Sequence, residues 1–410
     1  MNYWIKAPKG EWNTSVKLPA SKSISNRALI LNALSYSPYD IQNLSDCDDT
    51  EVLVRALNSN GRDFDIKAAG TAMRFLTAYL SKIVGEWTIT GTERMKNRPI
   101  KLLVDALNSL GARIEYIEKE GYPPLRIYGS ALQGGEISLA GNVSSQYISA
   151  LLMVAPLMEK GLVLHLDKNI ISRPYIELTL QLMAQFGVQA EWTKQTIRVA
   201  PQSYKPVPFK VESDWSAASY WYEMMALDPS AFIELEGLYK RSAQGDAAAA
   251  RIFSLLGVGT RYLPEGVSLF HKGNRPKKLS YDFVNEPDLA QTFVVTCVLL
   301  NVPFYFWGLQ SLRIKETDRI AALKRECRKL GYVLDDRSAG VLAWDGERCE
   351  PEPNPQIATY EDHRMAMAFA PAALARPEGI TIQNVEVVSK SYPHFWDDLK
   401  AAGFQLIQQS

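Results

Sequence analysis

This 410-residue sequence predicts an α+β fold built from repeated units. Two observations lead there. An amphipathic helix, a glycine stop and a short alternating strand recur six times, with the glycines at 61, 111, 187, 257, 331 and 403. After the first interval these glycines are 76, 70, 74 and 72 residues apart, too long for a solenoid, whose repeats run about 20–50 residues. The period fits six copies of a larger α+β unit. The second observation is the punctuation at Pro206 and Pro208, followed by Val211-Glu212-Ser213-Asp214 and a helix rich in Ala, Trp and Tyr. The main boundary is placed near Glu212 on this ground.

Each element has a local cause. Helices are expected over residues 52–60, 102–110, 176–186, 247–256, 320–330 and 395–402, each stopped by a glycine suited to the left-handed position that ends a helix. The segments that follow, such as Ala-Arg-Ile-Glu-Tyr after Gly111 and Val-Gly-Thr-Arg-Tyr after Gly257, alternate apolar and polar as half-buried strands do. Tyr-Val-Leu-Asp after Gly331 is read the same way, and residues 385–388 are read as a further strand. The stretch 289–309 is the most apolar, but it holds Gln291, Asn301 and Pro303. It is read as a buried helix followed by a strand, not a membrane span. Further helices open at residues 21–27, 70–74, 144–146 and 363–367.

Composition narrows the function. Lys plus Arg is 45 and Asp plus Glu is 45, a net charge of zero. General affinity for nucleic acid or a membrane surface is therefore not expected, and any anion binding must come from local clusters. Cys47, Cys297, Cys327 and Cys349 show no paired spacing, and His165, His271, His363 and His394 are scattered. No metal site or disulfide framework is expected. With no apolar signal core at residues 1–12, a cytoplasmic protein is expected.

Local clusters do occur. Leu312 to Ile320 reads Leu-Arg-Ile-Lys-Glu-Thr-Asp-Arg-Ile. If this segment opens a helix, Lys315 and Arg319 stand one turn apart on one face. Two cations beside unpaired helix N–H groups attract anions, and Glu316 beside them can move protons. The alternative is a solvated surface helix with ion pairs. Lys22, Ser23 and Arg27 lie at another helix start and suit phosphate or carboxylate oxygens. Gly70 lets a ligand approach the backbone closely, and Arg74 follows one turn later as a ligand or a helix-packing residue. Arg94 is the best ligand candidate in the cation-rich segment 90–99. Ser144, Ser145 and Gln146 suit a polyhydroxylated ligand, and Ser172 and Tyr175 repeat that chemistry. Asp288 is a helix cap or a catalytic carboxylate. Arg364 opens one more helix, and Lys390 lies between Ser389 and Ser391.

In order along the chain, Ser21-Lys22-Ser23-Ile24-Ser25-Asn26-Arg27, Gly70-Thr71-Ala72-Met73-Arg74, Arg94-Met95-Lys96, Ser144-Ser145-Gln146, Lys315-Glu316-Thr317-Asp318-Arg319 and Asp362-His363-Arg364-Met365 resemble the 5-enolpyruvylshikimate-3-phosphate synthase family of enolpyruvyl transferases. The resemblance runs end to end. It implies two similar domains, each of three repeated α/β units arranged as an inside-out α/β barrel, with a ligand cleft between them. One domain would span residues 19–212 and the other residues 1–18 plus 213–410. It implies transfer of the enolpyruvyl group from phosphoenolpyruvate to the 5-hydroxyl of shikimate 3-phosphate, in aromatic amino acid biosynthesis, by a monomer that uses no cofactor. Shikimate 3-phosphate would contact Lys22, Ser23, Arg27, Ser144, Ser145, Gln146, Ser172, Tyr175, Asp288, Ser311 and Lys315. Phosphoenolpyruvate would contact Lys22, Gly70, Arg94, Gln146, Arg319, Arg364 and Lys390. Asp288 would accept the proton of the attacking hydroxyl, Glu316 would protonate the methylene carbon, and Lys22 would share in proton transfer. Ala68 and Phe75 depart from the usual pattern on either side of the Gly70 segment. Ser311 stands where an Asn is common. The sister transferase acting on UDP-N-acetylglucosamine carries a reactive Cys, often replaced by Asp, on a loop corresponding to residues 85–101, and no Cys occurs there.

Overall fold

The computed structural model describes residues 1–167 and 169–409. It divides into two compact units, residues 20–211 and residues 1–19 with 212–410.

The unit of residues 20–211 contains two four-stranded sheets of one plan. In the first, Asp63–Asp65 lies parallel to Gly85–Thr90, which pairs antiparallel with Leu125–Gly129, itself antiparallel to Arg113–Tyr116. The second repeats this order with Gly135–Ala140, Leu162–Asp167, Thr196–Val199 and Glu191–Thr193. In each, one helix joins the parallel strands, Gly70–Lys82 or Ser145–Val154, and a second helix leads to the outer strand, Lys101–Ser109 or Arg173–Gln185. A third position has helices Lys22–Leu34 and Asp48–Leu57 with, among the described residues, only the parallel bridge between Gln42 and Lys210. Helix Ser145–Val154 is buried from Tyr147 to Val154, as expected of a helix apolar all round.

The unit of residues 1–19 and 212–410 carries the plan three times. Trp12–Lys17, Ala231–Glu236, Gly266–His271 and Val258–Leu263 form the first sheet. Leu279–Asp282, Phe304–Trp307 and Leu342–Trp344 form the second. In the third, Gln356–Ile357 lies parallel to Ile380–Ile382, and Asn2–Lys6 fits between Ile380–Ile382 and Gln405–Gln409. One hydrophobic core runs from Ile5 to Phe404. Its centre is formed by helices Trp215–Leu227 and Ala290–Leu299, which pack together and bury Trp215, Trp221, Phe293 and Val294 completely.

Five of the six stop glycines are left-handed, with φ between 85° and 100°, whereas Gly61 is not. Two strand expectations are corrected. Residues 332–335 make only isolated bridges, Tyr332 to Arg348 and Asp335 to Ala343; Tyr332 packs edge-on against Trp344 under the Arg348 guanidinium instead of extending a ladder. Val385–Lys390 is a 3-10 turn, because Asn384 turns left-handed before it and the Trp396 indole takes the Val385 carbonyl. Among the described residues, no helix is long and apolar enough to cross a membrane.

Glu223, on the central helix, is fully buried and has no Lys or Arg partner among the described residues. Burial pushes its carboxyl well above the usual 4.5, against a smaller effect of Thr296. A carboxyl raised on folding contributes stability that is complete below its unfolded value and is lost as pH rises through its folded value. Glu223→Gln removes this dependence. Thermal melts are expected to show the difference in Tm moving in favour of the variant between about pH 5 and about pH 8; a constant difference would contradict the assignment.

Candidate active site

The strongest charge cluster lies in the unit of residues 1–19 and 212–410, around Arg319. The helix expected over residues 320–330 begins at Arg319, where the Asp318 carboxylate accepts from the Ala321 N–H. Lys315 therefore precedes the helix, after the 3-10 turn Gln310–Ile314. Arg319 is 1% exposed. Its Nε donates to Asp362 at 2.7 Å, Nη1 to Asp288 at 3.1 Å and Nη2 to Glu316 at 2.8 Å. Arg364 Nη2 donates to the other Asp288 oxygen at 3.0 Å, and Lys315 Nζ stands 3.5 Å from Asp288. Lys390 Nζ is 3.7 Å from Glu316. Asp362, itself fully buried, caps the helix that begins at His363 by accepting from the Arg364 N–H.

Four cations (Lys315, Arg319, Arg364, Lys390) thus face three carboxylates (Asp288, Glu316, Asp362) in direct ion pairs. Burial acts to raise the Asp288 carboxyl, but Arg364, Lys315 and Arg319 outweigh it and hold the group well below the usual range. Burial opposes the charge on Arg319, and Asp362, Glu316 and Asp288 together raise its affinity for its proton. Behind Asp288 lies Asp246, buried and accepting from the Ser216 hydroxyl. Burial, and then Asp288, push it up to about 6. Burial, and then Asp246, push Glu286 up to about 7. A carboxyl whose proton affinity is raised thus lies near one whose proton affinity is lowered.

In the unit of residues 20–211, Ser21 caps helix Lys22–Leu34, and Lys22 Nζ lies 3.4 Å from Asp49. Arg27 is buried and tied to neutral acceptors: Thr179 at 2.7 Å, the Ser23 carbonyl at 2.9 Å, Ser149 at 3.2 Å and the Tyr175 carbonyl at 3.3 Å. Burial lowers its pKa to about 10, Tyr175 opposing. Phe75 lies beneath this guanidinium, 5.3 Å away, so its departure from the family pattern is expressed in packing under Arg27. Helix Gly70–Lys82 has no side-chain cap at Ala69. A Cβ on Gly70 would come within 2.5 Å of Arg98 Nη1, so the end of the Arg98 side chain would have to move aside. Arg94 lies on the short helix Glu93–Lys96. Ser144 caps its helix, and Gln146 donates to Thr71 at 3.1 Å. Ser172 is left-handed at φ 53° and makes no cap bond to the helix that follows. Such a conformation costs a non-glycine residue of order 1–3 kcal/mol.

The family model described as EPSP synthase (3-phosphoshikimate 1-carboxyvinyltransferase) matches residues 6–64 and 58–399. The chain belongs to the EPSP synthase family. Within it, the chain is 60% identical over 405 residues to the 3-phosphoshikimate 1-carboxyvinyltransferase of Bacteroides fragilis, covering 98% of each. It is 35% identical over 421 residues to that of Photobacterium profundum, covering 96% of this chain and 97% of the relative. An EPSP synthase structure from Acinetobacter baumannii superposes with a TM-score of 0.79 over 99% of this chain and 100% of that one, at 20% identity, a likeness of fold.

The sequence singled out Asp288 and Glu316 together with the cations, and missed Asp362 and Asp246. Asp246 sits in Gln-Gly-Asp-Ala, which carries no local signal. Asp362 could have been singled out, since it precedes an Arg at a helix start. Ser311 lies on the 3-10 turn before Lys315 and belongs to none of the hydrogen bonds or ion pairs of the charged cluster. Cys47 is buried and burial raises its thiol, unlike a reactive cysteine.

Arg319→Met strips three carboxylates of their shared cation. Breaking such a buried arrangement is expected to cost about 3–5 kcal/mol, read by denaturant unfolding. A loss below about 1 kcal/mol is what a solvated surface pair would give.

Proposed function

We infer that this chain transfers the enolpyruvyl group of phosphoenolpyruvate to the 5-hydroxyl of shikimate 3-phosphate and releases phosphate, in the route to chorismate and the aromatic amino acids. The observation that carries this reading is the Arg319 cluster. It sets two carboxylates suited to proton transfer, Asp288 and Glu316, among four cations, Lys315, Arg319, Arg364 and Lys390. Membership of the EPSP synthase family supports it.

The chemistry follows from the charges. Phosphoenolpyruvate brings a carboxylate and a phosphate, which draw on Arg319, Arg364 and Lys390, and also on Lys22, Gly70, Arg94 and Gln146. As the substrate engages these cations, Asp288 and Glu316 lose part of their compensation and become more basic. Glu316 then gives a proton to the methylene carbon, and positive charge builds on the carbon bearing the phosphate. The 5-hydroxyl oxygen bonds to that carbon and its proton passes to Asp288. Return of a methyl proton to Glu316 and cleavage of the carbon–oxygen bond to phosphate, which leaves with the electron pair, then restore the double bond and the protonated Glu316. Lys22 shares in these proton transfers. Shikimate 3-phosphate is held by Ser23, Ser144, Ser145, Ser172, Tyr175, Ser311 and Lys315. Arg27 joins them and fixes Ser23 and Tyr175 through their carbonyls. Orientation and preorganised charge supply the acceleration. The reading includes a cytoplasmic monomer, in keeping with four cysteines outside any disulfide and zero net charge.

A phosphate-release assay with both substrates tests this. Release with UDP-N-acetylglucosamine in place of shikimate 3-phosphate, and none with shikimate 3-phosphate, would move the chain to the sister reaction. Glu316→Gln keeps the shape and removes the transferable proton. Turnover is expected to fall about 10²–10⁴-fold while calorimetric binding of both substrates is retained. An equal loss in binding would make Glu316 a ligand-positioning group.

A further inference from the structure

Arg74 has no part in the chemistry above, yet it is 3% exposed and lies one turn into helix Gly70–Lys82. Its Nη1 donates to the Gly70 carbonyl at 3.2 Å and meets the Met95 sulfur at 3.6 Å. Its Nη2 donates to the Pro99 carbonyl at 3.0 Å. The Tyr147 hydroxyl donates to the same carbonyl at 2.5 Å, and the Tyr147 ring centroid is 5.8 Å from the guanidinium carbon. Next to Tyr147, Gln146 reaches Thr71 at 3.1 Å. One buried guanidinium thus joins the helix start at Gly70, the segment 91–99 that carries Arg94, and the helix start at Gln146.

We propose that Arg74 is a positioning residue for phosphoenolpyruvate, fixing Arg94 relative to Gly70 and Gln146 without touching the substrate. This rests on the function inferred above, in which those three residues bind phosphoenolpyruvate. The planar guanidinium suits the task because two of its nitrogens address two carbonyls on different segments at once, which a lysine ammonium on a flexible stem does less well. The effect is selective. Ser23 and Tyr175, on the shikimate 3-phosphate side, are fixed by a different guanidinium, Arg27, through Thr179 and Ser149. Loosening Arg74 therefore displaces Gly70 and the segment of Arg94, which serve phosphoenolpyruvate alone and which it holds directly, more than Ser144, Ser145 and Gln146, whose helix it reaches only through Tyr147.

Steady-state kinetics and calorimetry on Arg74→Met, Arg74→Lys and Tyr147→Phe test this. Arg74→Met is expected to raise the KM for phosphoenolpyruvate about ten- to a hundred-fold, with the Kd for shikimate 3-phosphate within about two-fold of wild type. Arg74→Lys restores part of the loss, and Tyr147→Phe shifts the same KM in the same direction by less. An unchanged KM for phosphoenolpyruvate, or equal weakening of both substrates, overturns the proposal. If Arg74→Met does not fold, Arg74→Lys and Tyr147→Phe decide by the same split. Wild-type turnover separates the two levels. An inactive wild type overturns the function, whereas an active wild type whose variants show no split overturns only the role of Arg74.

Discussion

A guanidinium removed from water must be met on every side, and Arg319 shows what that demands of a chain. Taking a charge into the interior costs several kcal/mol unless partners replace the lost hydration. Here the partners come from three places: the turn holding Asp288, the segment before the Arg319 helix with Glu316, and the helix start at Asp362. The positions of all three follow from that one side chain. Asp318 contributes by capping, which makes Arg319 the first residue of its helix. Arg364 and Lys390 are then held through Asp288 and Glu316, so the cations stay close together without pairing with one another.

The unit of residues 20–211 meets the same difficulty with dipoles. Arg27 is satisfied by hydroxyls and carbonyls, and Arg74 by carbonyls and a sulfur. The neutral acceptors of Arg27 leave its charge in place, so this guanidinium keeps a field that an anion can feel while remaining fixed. The other unit cancels most of its charge and keeps titratable carboxyls in the bargain. Proton handling and anion holding are thus weighted differently in the two halves of the chain, and each weighting can be traced to the acceptors available at a buried arginine.

Much of the fold was legible because its signals are local. A stop glycine after an amphipathic helix, followed by alternating residues, needs no knowledge of distant partners, and helices such as Lys101–Ser109 and Ala248–Leu255 end where those signals lie. Local signals also misled. Residues 385–388 are rich in β-branched side chains, yet Trp396 claims the Val385 carbonyl and the backbone turns. Residues 332–335 alternate, yet Tyr332 is held by stacking with Trp344 and Arg348. In the site, cations next to helix starts stood out by residue type. Asp288 and Glu316 stood out as well, but the pairing of Asp288 and Asp362 with Arg319 did not, because Arg319 and Asp288 lie 31 positions apart, and Arg319 and Asp362 lie 43 apart. Asp246 reaches the cluster from a still more distant segment that has no pattern of its own.

The strand Asn2–Lys6 pairs Ile5 with Ile380 and Asn2 with Gln409. During synthesis this strand emerges long before its two neighbours. At about 5–20 residues per second, it waits roughly 20–80 s for a partner. Residues 20–211 emerge entirely within that interval and include both strands of every ladder in their two sheets. The nascent chain therefore completes its inserted half while the segment preceding it still has an open edge. A strand with unpaired N–H and C=O groups invites foreign pairing. Asn2–Lys6 is short, with Lys6 at its end and Pro8 and Lys9 just beyond, features that discourage such pairing until Ile380–Ile382 and Gln405–Gln409 arrive.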